Sequence, residues 1–125
     1  MSVAVAAVGP EVVAGSTRMK AGTAQKMILN MLTTGTMARL GYVYDNLMVN
    51  VHLKNEKLTE RGVGILEQAA DLDRREARRL LAAAGNRVPV ALVMAKAGVN
   101  VTQAVSALKK SRGHVRRAIA VAKPA

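Results

Sequence analysis

Apolar residues are distributed along this chain in two distinct ways. Val3 to Val8 is a continuous apolar run, closed by Gly9-Pro10. A run without polar alternation predicts a short strand covered on both faces, as in a parallel sheet. From Thr23 to Leu40 the pattern changes to helical spacing, with Ala24, Met27, Ile28, Met31 and Leu32 recurring on one side. Gly35 and its neighbouring threonines weaken the second half of that helix. The spacing puts Met27, Met31 and Met37 in a core, where methionine fills irregular gaps. Between Gly41 and Val51 two readings stay open, because Tyr42, Val43, Leu47, Met48, Val49 and Val51 suit a strand or an extended crossing segment alike.

The remainder reads as helix throughout. Asn55 is a candidate cap for a helix with Leu58, Gly62, Ile65, Leu66 and Ala69 on its inner face. Asp73-Arg74-Arg75-Glu76 has the spacing of a capping box. Ala77, Leu80, Leu81 and Ala84 follow as a stripe that Gly85-Asn86 ends. Val88, Ala91, Leu92 and Ala95 form a further helix that stops near Gly98. A shift of 27 residues repeats this plan, aligning Ala77 with Ala104, Leu81 with Leu108, Val88 with Val115, Ala91 with Ala118, Leu92 with Ile119 and Lys96 with Lys123. Two helical hairpins packed together bury both stripes. The repeat resembles the small hairpins of ubiquitin-associated-type modules in its packing positions only, and implies no ubiquitin binding.

Composition changes the picture in two respects. The 125 residues include no Phe, Trp or Cys, and Tyr42 and Tyr44 are the only aromatics. The core must therefore rest on Ala, Val, Leu, Ile and Met. Without cysteine there are no disulfides, thiolate metal sites or cysteine nucleophiles, which suits a cytoplasmic protein. No stretch approaches the roughly 20 apolar residues of a membrane span, and no membrane partner is expected. The net charge of +11 is uneven: residues 1–52 carry +2, residues 53–125 carry +9, and no acid follows Glu76. Such a tail attracts polyanions at low salt. Nucleic-acid binding nonetheless ranks last, because the basic region has neither stacking aromatics nor zinc spacing.

Candidate chemistry concentrates between Gly9 and Lys26. Glycines, two hydroxyls and cations here lead into the first long helix. Helix-start N–H groups are unpaired and carry the positive end of the dipole, so they suit a phosphate. Gly15 and Gly22 permit close approach, Ser16 and Thr17 offer hydroxyls, and Arg18, Lys20 and Lys26 offer charge. The segment is neither a Walker loop nor a dinucleotide fingerprint. On the residues alone, a phosphate cradle and an ordinary capped turn stand at even odds. Asp45, Glu56 and Glu60 read as solvated or capping acids. His52 and His114 stand alone, with His114 expected to be exposed at a turn. No metal site, cofactor or catalytic residue is expected in this chain.

The run from Gly9 to Lys26 closely resembles the signature of the N-acetylmuramic acid 6-phosphate etherases, shared in looser form by glucokinase regulatory proteins. Asn30-Met31-Leu32, Thr34-Gly35-Thr36-Met37, Arg39-Leu40-Gly41, Asn46-Leu47-Met48-Val49 and Asn55-Glu56-Lys57-Leu58 look like later family segments in the right order. The helical tail resembles the family's small C-terminal domain. The resemblance implies a mainly α chain. Residues 1–52 would be the C-terminal part of a sugar-isomerase-type (SIS) α/β domain, giving one short strand plus a helix, and residues 53–125 a helical-hairpin domain. It further implies a cytoplasmic homodimer that cleaves the lactyl ether of N-acetylmuramic acid 6-phosphate, giving N-acetylglucosamine 6-phosphate and D-lactate by elimination and then hydration. Gly15, Ser16, Thr17 and Lys20 would hold the sugar phosphate, and Glu11 would have a positioning role. The departure is one of extent. Family members are more than twice as long and carry their catalytic glutamates in a first half with no counterpart here. The chain is expected to be a C-terminal portion, inactive alone. A non-catalytic sugar-phosphate-binding regulator is the alternative.

Overall fold

The computed structural model describes residues Val3–Lys123. The elements run in the order α1 (Lys20–Arg39), β1 (Val43–Tyr44), β2 (Leu47–Met48), α2 (Glu56–Ala70), α3 (Arg74–Ala83), α4 (Val88–Ala97), α5 (Val101–Lys110) and α6 (Val115–Ala122). The chain divides after Met37 into two compact units.

The first unit holds the segment from Val3, the loop and most of α1. Val3 to Val8 forms no strand, which corrects the strand expected there. A strand exists only where a neighbour takes up its backbone N–H and C=O groups, and no such neighbour pairs with this segment among the described residues. The apolar residues of α1 also differ from expectation. None of its twenty residues is buried, and Met27, Met31 and Met37 are 54%, 62% and 46% exposed. Helical spacing specified a face to be covered but could not supply the element that covers it.

The second unit is built around α4. Six of its ten residues are buried (Val88, Val90, Ala91, Leu92, Val93 and Ala97), and α2, α3, α5 and α6 all pack against it. Such all-round burial explains why α4 is apolar on every side rather than striped. Pro89 in its first turn is tolerated because the missing N–H has no intrahelical partner there. Gly98 ends the helix at φ 66°, its N–H donating to Met94 O at 3.0 Å. Gly62 on α2 lets the backbone close in, since a Cβ there would meet Val88 Cγ2 at 3.1 Å and Leu53 Cδ2 at 3.2 Å.

The caps read from sequence are present. Asn55 Oδ1 accepts from Leu58 N at 2.9 Å, and Asp73 Oδ1 accepts from Glu76 N at 2.8 Å. A reciprocal capping box also opens α5, with Asn100 and Gln103 each accepting the other's backbone N–H. The 27-residue repeat extends to the turns. Gly85 and Asn86 adopt positive φ, and so do their counterparts Arg112 and Gly113. Asn86 N–H donates to Leu81 O, and Gly113 N–H to Leu108 O, both at 2.9 Å.

The open segment between Gly41 and Val51 forms an antiparallel hairpin, in which Val43 faces Met48 and Tyr44 faces Leu47. Two-residue strands are too short to stand alone. Tyr44 and Val49 are buried in the helical core, and Arg116 of α6 clasps the hairpin from outside, paired with Asp45 and 5.2 Å from the Tyr44 ring centroid. His114 is half-buried rather than exposed, because Gly41 packs on it: a Cβ at Gly41 would lie 2.9 Å from His114 Cα.

Two truncations contrast these units. Leu66→Ala should lower the urea-unfolding stability by about 2–5 kcal/mol, since Leu66 is fully buried. Met31→Ala should stay within about 0.5 kcal/mol.

Candidate functional site

The loop before α1 is organised by Glu11. Its carboxylate accepts from Lys20 N at 3.1 and 3.0 Å, one contact per oxygen, and from Ala21 N at 3.1 Å. An anion therefore does sit on the positive end of α1, but it is the chain's own side chain. These backbone N–H groups hold the Glu11 carboxyl below its ordinary 4.5, Lys20 contributing most and Ala21 next. Pro10 presents its carbonyl to the Lys20 ammonium at 2.8 Å. The first turn of α1 is thus tied back to Pro10-Glu11, and residues 12–19 close into a loop between the two ends.

The other predicted residues lie in that loop. Gly15 has φ +82°, a left-handed conformation that favours glycine. The turn that contains it is closed by Ser16 N–H on Val13 O at 3.1 Å. Ser16 Oγ accepts from Arg18 N at 3.2 Å, fixing the step from Ser16 to Arg18. Thr17 presents its backbone carbonyl to Gly22 N at 2.9 Å, and a Cβ at Gly22 would approach that carbonyl to 3.3 Å. The loop therefore gathers Glu11, Ser16, Thr17 and Lys20 into one closed substructure. The Ser16 hydroxyl is engaged as an acceptor and keeps its proton for another acceptor.

The other candidate acids are elsewhere engaged. Glu60 on α2 pairs with Arg74 and Arg78 of α3, and Arg74 also reaches Glu67 at 3.6 Å. Asp45 holds Arg116, and Glu56 lies in the first turn of α2, where the dipole favours a carboxylate. Among the described residues, no group of three or more His, Cys, Asp or Glu could hold a metal ion. No single helix among them is long and apolar enough to cross a membrane.

Two features escaped the sequence. One is the double tie of Lys20, because nothing in Gly-Pro-Glu announces that its carboxylate returns to a helix start nine residues on. The other is a mainly apolar concavity of about 480 Å³ in the second unit, whose walls include Tyr42, Leu53, Arg87, Pro89 and Leu108. Its lining is scattered over some seventy positions, so no local pattern marks it.

Protonating Glu11 removes its acceptor charge from the α1 start. Its folded pKa is depressed, so its contribution to the loop is complete above the ordinary value and is lost as pH falls through the lower folded one. A pH titration followed at the Lys20 and Ala21 amides should show a midpoint below 4.5. Glu11→Gln should abolish that inflection; a midpoint at or above the ordinary value would contradict the assignment.

No protein-family profile matches the chain. Among curated proteins, the N-acetylmuramic acid 6-phosphate etherase of Klebsiella aerogenes is 52% identical over 112 residues, covering 90% of this chain and 37% of that protein. The etherase of Photorhabdus laumondii is 53% identical over 112 residues, with the same two shares. Etherase 1 of Enterococcus faecalis is 49% identical over 113 residues, covering 90% of the chain and 38% of its own length. The resemblance read from residues 9–58 and the helical tail is borne out. The chain is thus similar, through nine-tenths of its length, to a stretch of the N-acetylmuramic acid 6-phosphate etherases that makes up a little over a third of those proteins.

Proposed function

We propose that this chain is a portion of an N-acetylmuramic acid 6-phosphate etherase, carrying one wall of its sugar-phosphate site. The observation that carries this reading is identity near 50% over nine-tenths of the chain. In this reading residues 1–52 are the trailing part of a sugar-isomerase-type domain and residues 53–125 its helical extension. The whole enzyme is a cytoplasmic homo-oligomer acting on the lactyl ether.

Within that wall, Ser16 and Thr17 direct their hydroxyls to the substrate phosphate, with Gly15 and Lys20 beside them. Glu11 is a positioning residue: its ties to Lys20 N and Ala21 N support an arrangement in which it holds the loop against α1. Because it occupies those N–H groups, the phosphate is bound by side chains and the remaining loop amides rather than by the bare helix start. Elimination of lactate needs a base for the proton beside the carbonyl and an acid for the departing lactate oxygen. Glu11 is committed to the helix, and Glu60 and Asp45 to arginines. None of these three is therefore free to serve as that base or acid.

Purified chain incubated with N-acetylmuramic acid 6-phosphate should release no lactate. Release that disappears in Glu11→Gln would overturn this assignment of roles. Titration with N-acetylglucosamine 6-phosphate should give saturable amide shifts from Gly15 to Lys20, weakened about tenfold in Ser16→Ala by loss of a hydrogen bond to a charged group. Shifts that fail to saturate, or that Ser16→Ala leaves unchanged, would remove the phosphate wall.

A further inference from the structure

The repeat within the second unit allows each residue of the α5–α6 hairpin to be compared with its counterpart in α3–α4. The main chains correspond closely at the turn: Ala84 N–H donates to Leu80 O, and Ser111 N–H to Ala107 O, both at 2.9 Å. Ser111 therefore stands where the first hairpin has Ala84. Ala84 is fully buried and Ser111 is 7% exposed. The alanine shows that packing at this place requires only a methyl group. The hydroxyl of Ser111 is an addition, and among the described residues its Oγ has no hydrogen-bond partner. Burying such a group unpaired costs about 1–3 kcal/mol, and native proteins hold few of them.

Charge changes at the same place. Lys110, Arg112 and Arg117 replace Ala83, Gly85 and Val90 of the first hairpin. Together with Ser111 these three cations line one concavity of about 440 Å³, in which no Asp or Glu takes part. None of the three belongs to an ion pair among the described residues. A neighbouring hollow of about 400 Å³ shares Lys110 and Val121 with the first, and its walls include Thr102 and Ser106. Where the first repeat has small or buried apolar residues, the second thus has three unpaired cations beside an unpaired hydroxyl, flanked by two more hydroxyls.

This donor set has one chemistry. Guanidinium and ammonium groups make charge-assisted hydrogen bonds to oxyanions, a serine hydroxyl adds a directed donor, and the lack of any carboxylate in the lining disfavours a cation. We propose that the α5–α6 turn is a phosphate-binding site, in which the exposed Lys110, Arg112 and Arg117 hold the phosphate group and the buried, unpartnered Ser111 hydroxyl turns to donate to it. The phosphate belongs to a free anion or to a phosphorylated sugar, and in the second case the sugar extends along Thr102 and Ser106. The site uses none of the loop residues of the reading above, so the two can fail separately.

Amide shifts of Lys110 to Arg112 and Arg117 in the whole chain test this, with inorganic phosphate and N-acetylglucosamine 6-phosphate as separate probes at constant ionic strength. Saturable shifts are expected. Tighter binding of the sugar phosphate assigns the site to a phosphorylated sugar, and equal affinity assigns it to the free anion. Arg117→Gln should weaken binding about tenfold or more. Ser111→Ala should weaken it about threefold without lowering the melting temperature, since Ala84 already tolerates that environment. Lys96→Gln, an exposed cation outside the hollow, should change affinity by less than about twofold. Shifts that grow linearly, that chloride reproduces, or that Arg117→Gln and Lys96→Gln reduce alike would overturn the proposal.

Discussion

The helical unit depends on burying α4 from every side. Its buried side chains are small or branched, and no Phe or Trp is available to fill the space around them. Close packing must then come from backbone approach rather than from large side chains. Gly62 serves this directly, as do the buried alanines at 77, 84, 91, 104, 107 and 118. Together they give a core made of many modest contacts. The hairpin of residues 43–48 joins that core through Tyr44, which uses one of the chain's two aromatic rings.

A repeated hairpin solves this packing problem twice with the same backbone. Caps, left-handed turn residues and the hydrogen bonds that close the turns recur at a spacing of 27 residues. Conserving the backbone frees the surface to differ. In the first hairpin two arginines of α3, Arg74 and Arg78, are paired with Glu60 and Glu67 of α2. In the second, no acid occurs in the sequence at all, and among the described residues only Arg116 finds one, in Asp45 of the β-hairpin. The charge of +9 over residues 53–125 is therefore concentrated on the second repeat by both sequence and pairing.

The loop preceding α1 follows a different principle. Its shape is set by local hydrogen bonds and not by a core, with one carboxylate spanning from Glu11 to the first turn of the helix. Such closure makes a compact segment without burial, and the apolar residues of α1 are likewise not buried. The chain spans about 37% of the length of the Klebsiella aerogenes etherase that it matches.

Local signals were legible wherever the physics is local. Asn55 and Asp73 as caps, Gly85-Asn86 and Gly98 as stops, the helical stripes and the 27-residue repeat could all be read directly, because capping and turn chemistry act within a few residues of the signal. The family resemblance was legible for the same reason, being carried by contiguous motifs. Three things were not: whether Val3–Val8 pairs as a strand, whether the methionines of α1 are covered, and where the Glu11 carboxylate goes. Strand pairing, burial and a return contact across nine residues depend on what lies alongside in space. Sequence by itself determined the helices, their ends and the pattern of charge. Tertiary structure alone decided which apolar faces found partners and that the Ser111 hydroxyl is buried, because burial is a property of neighbours that the chain does not place next to one another.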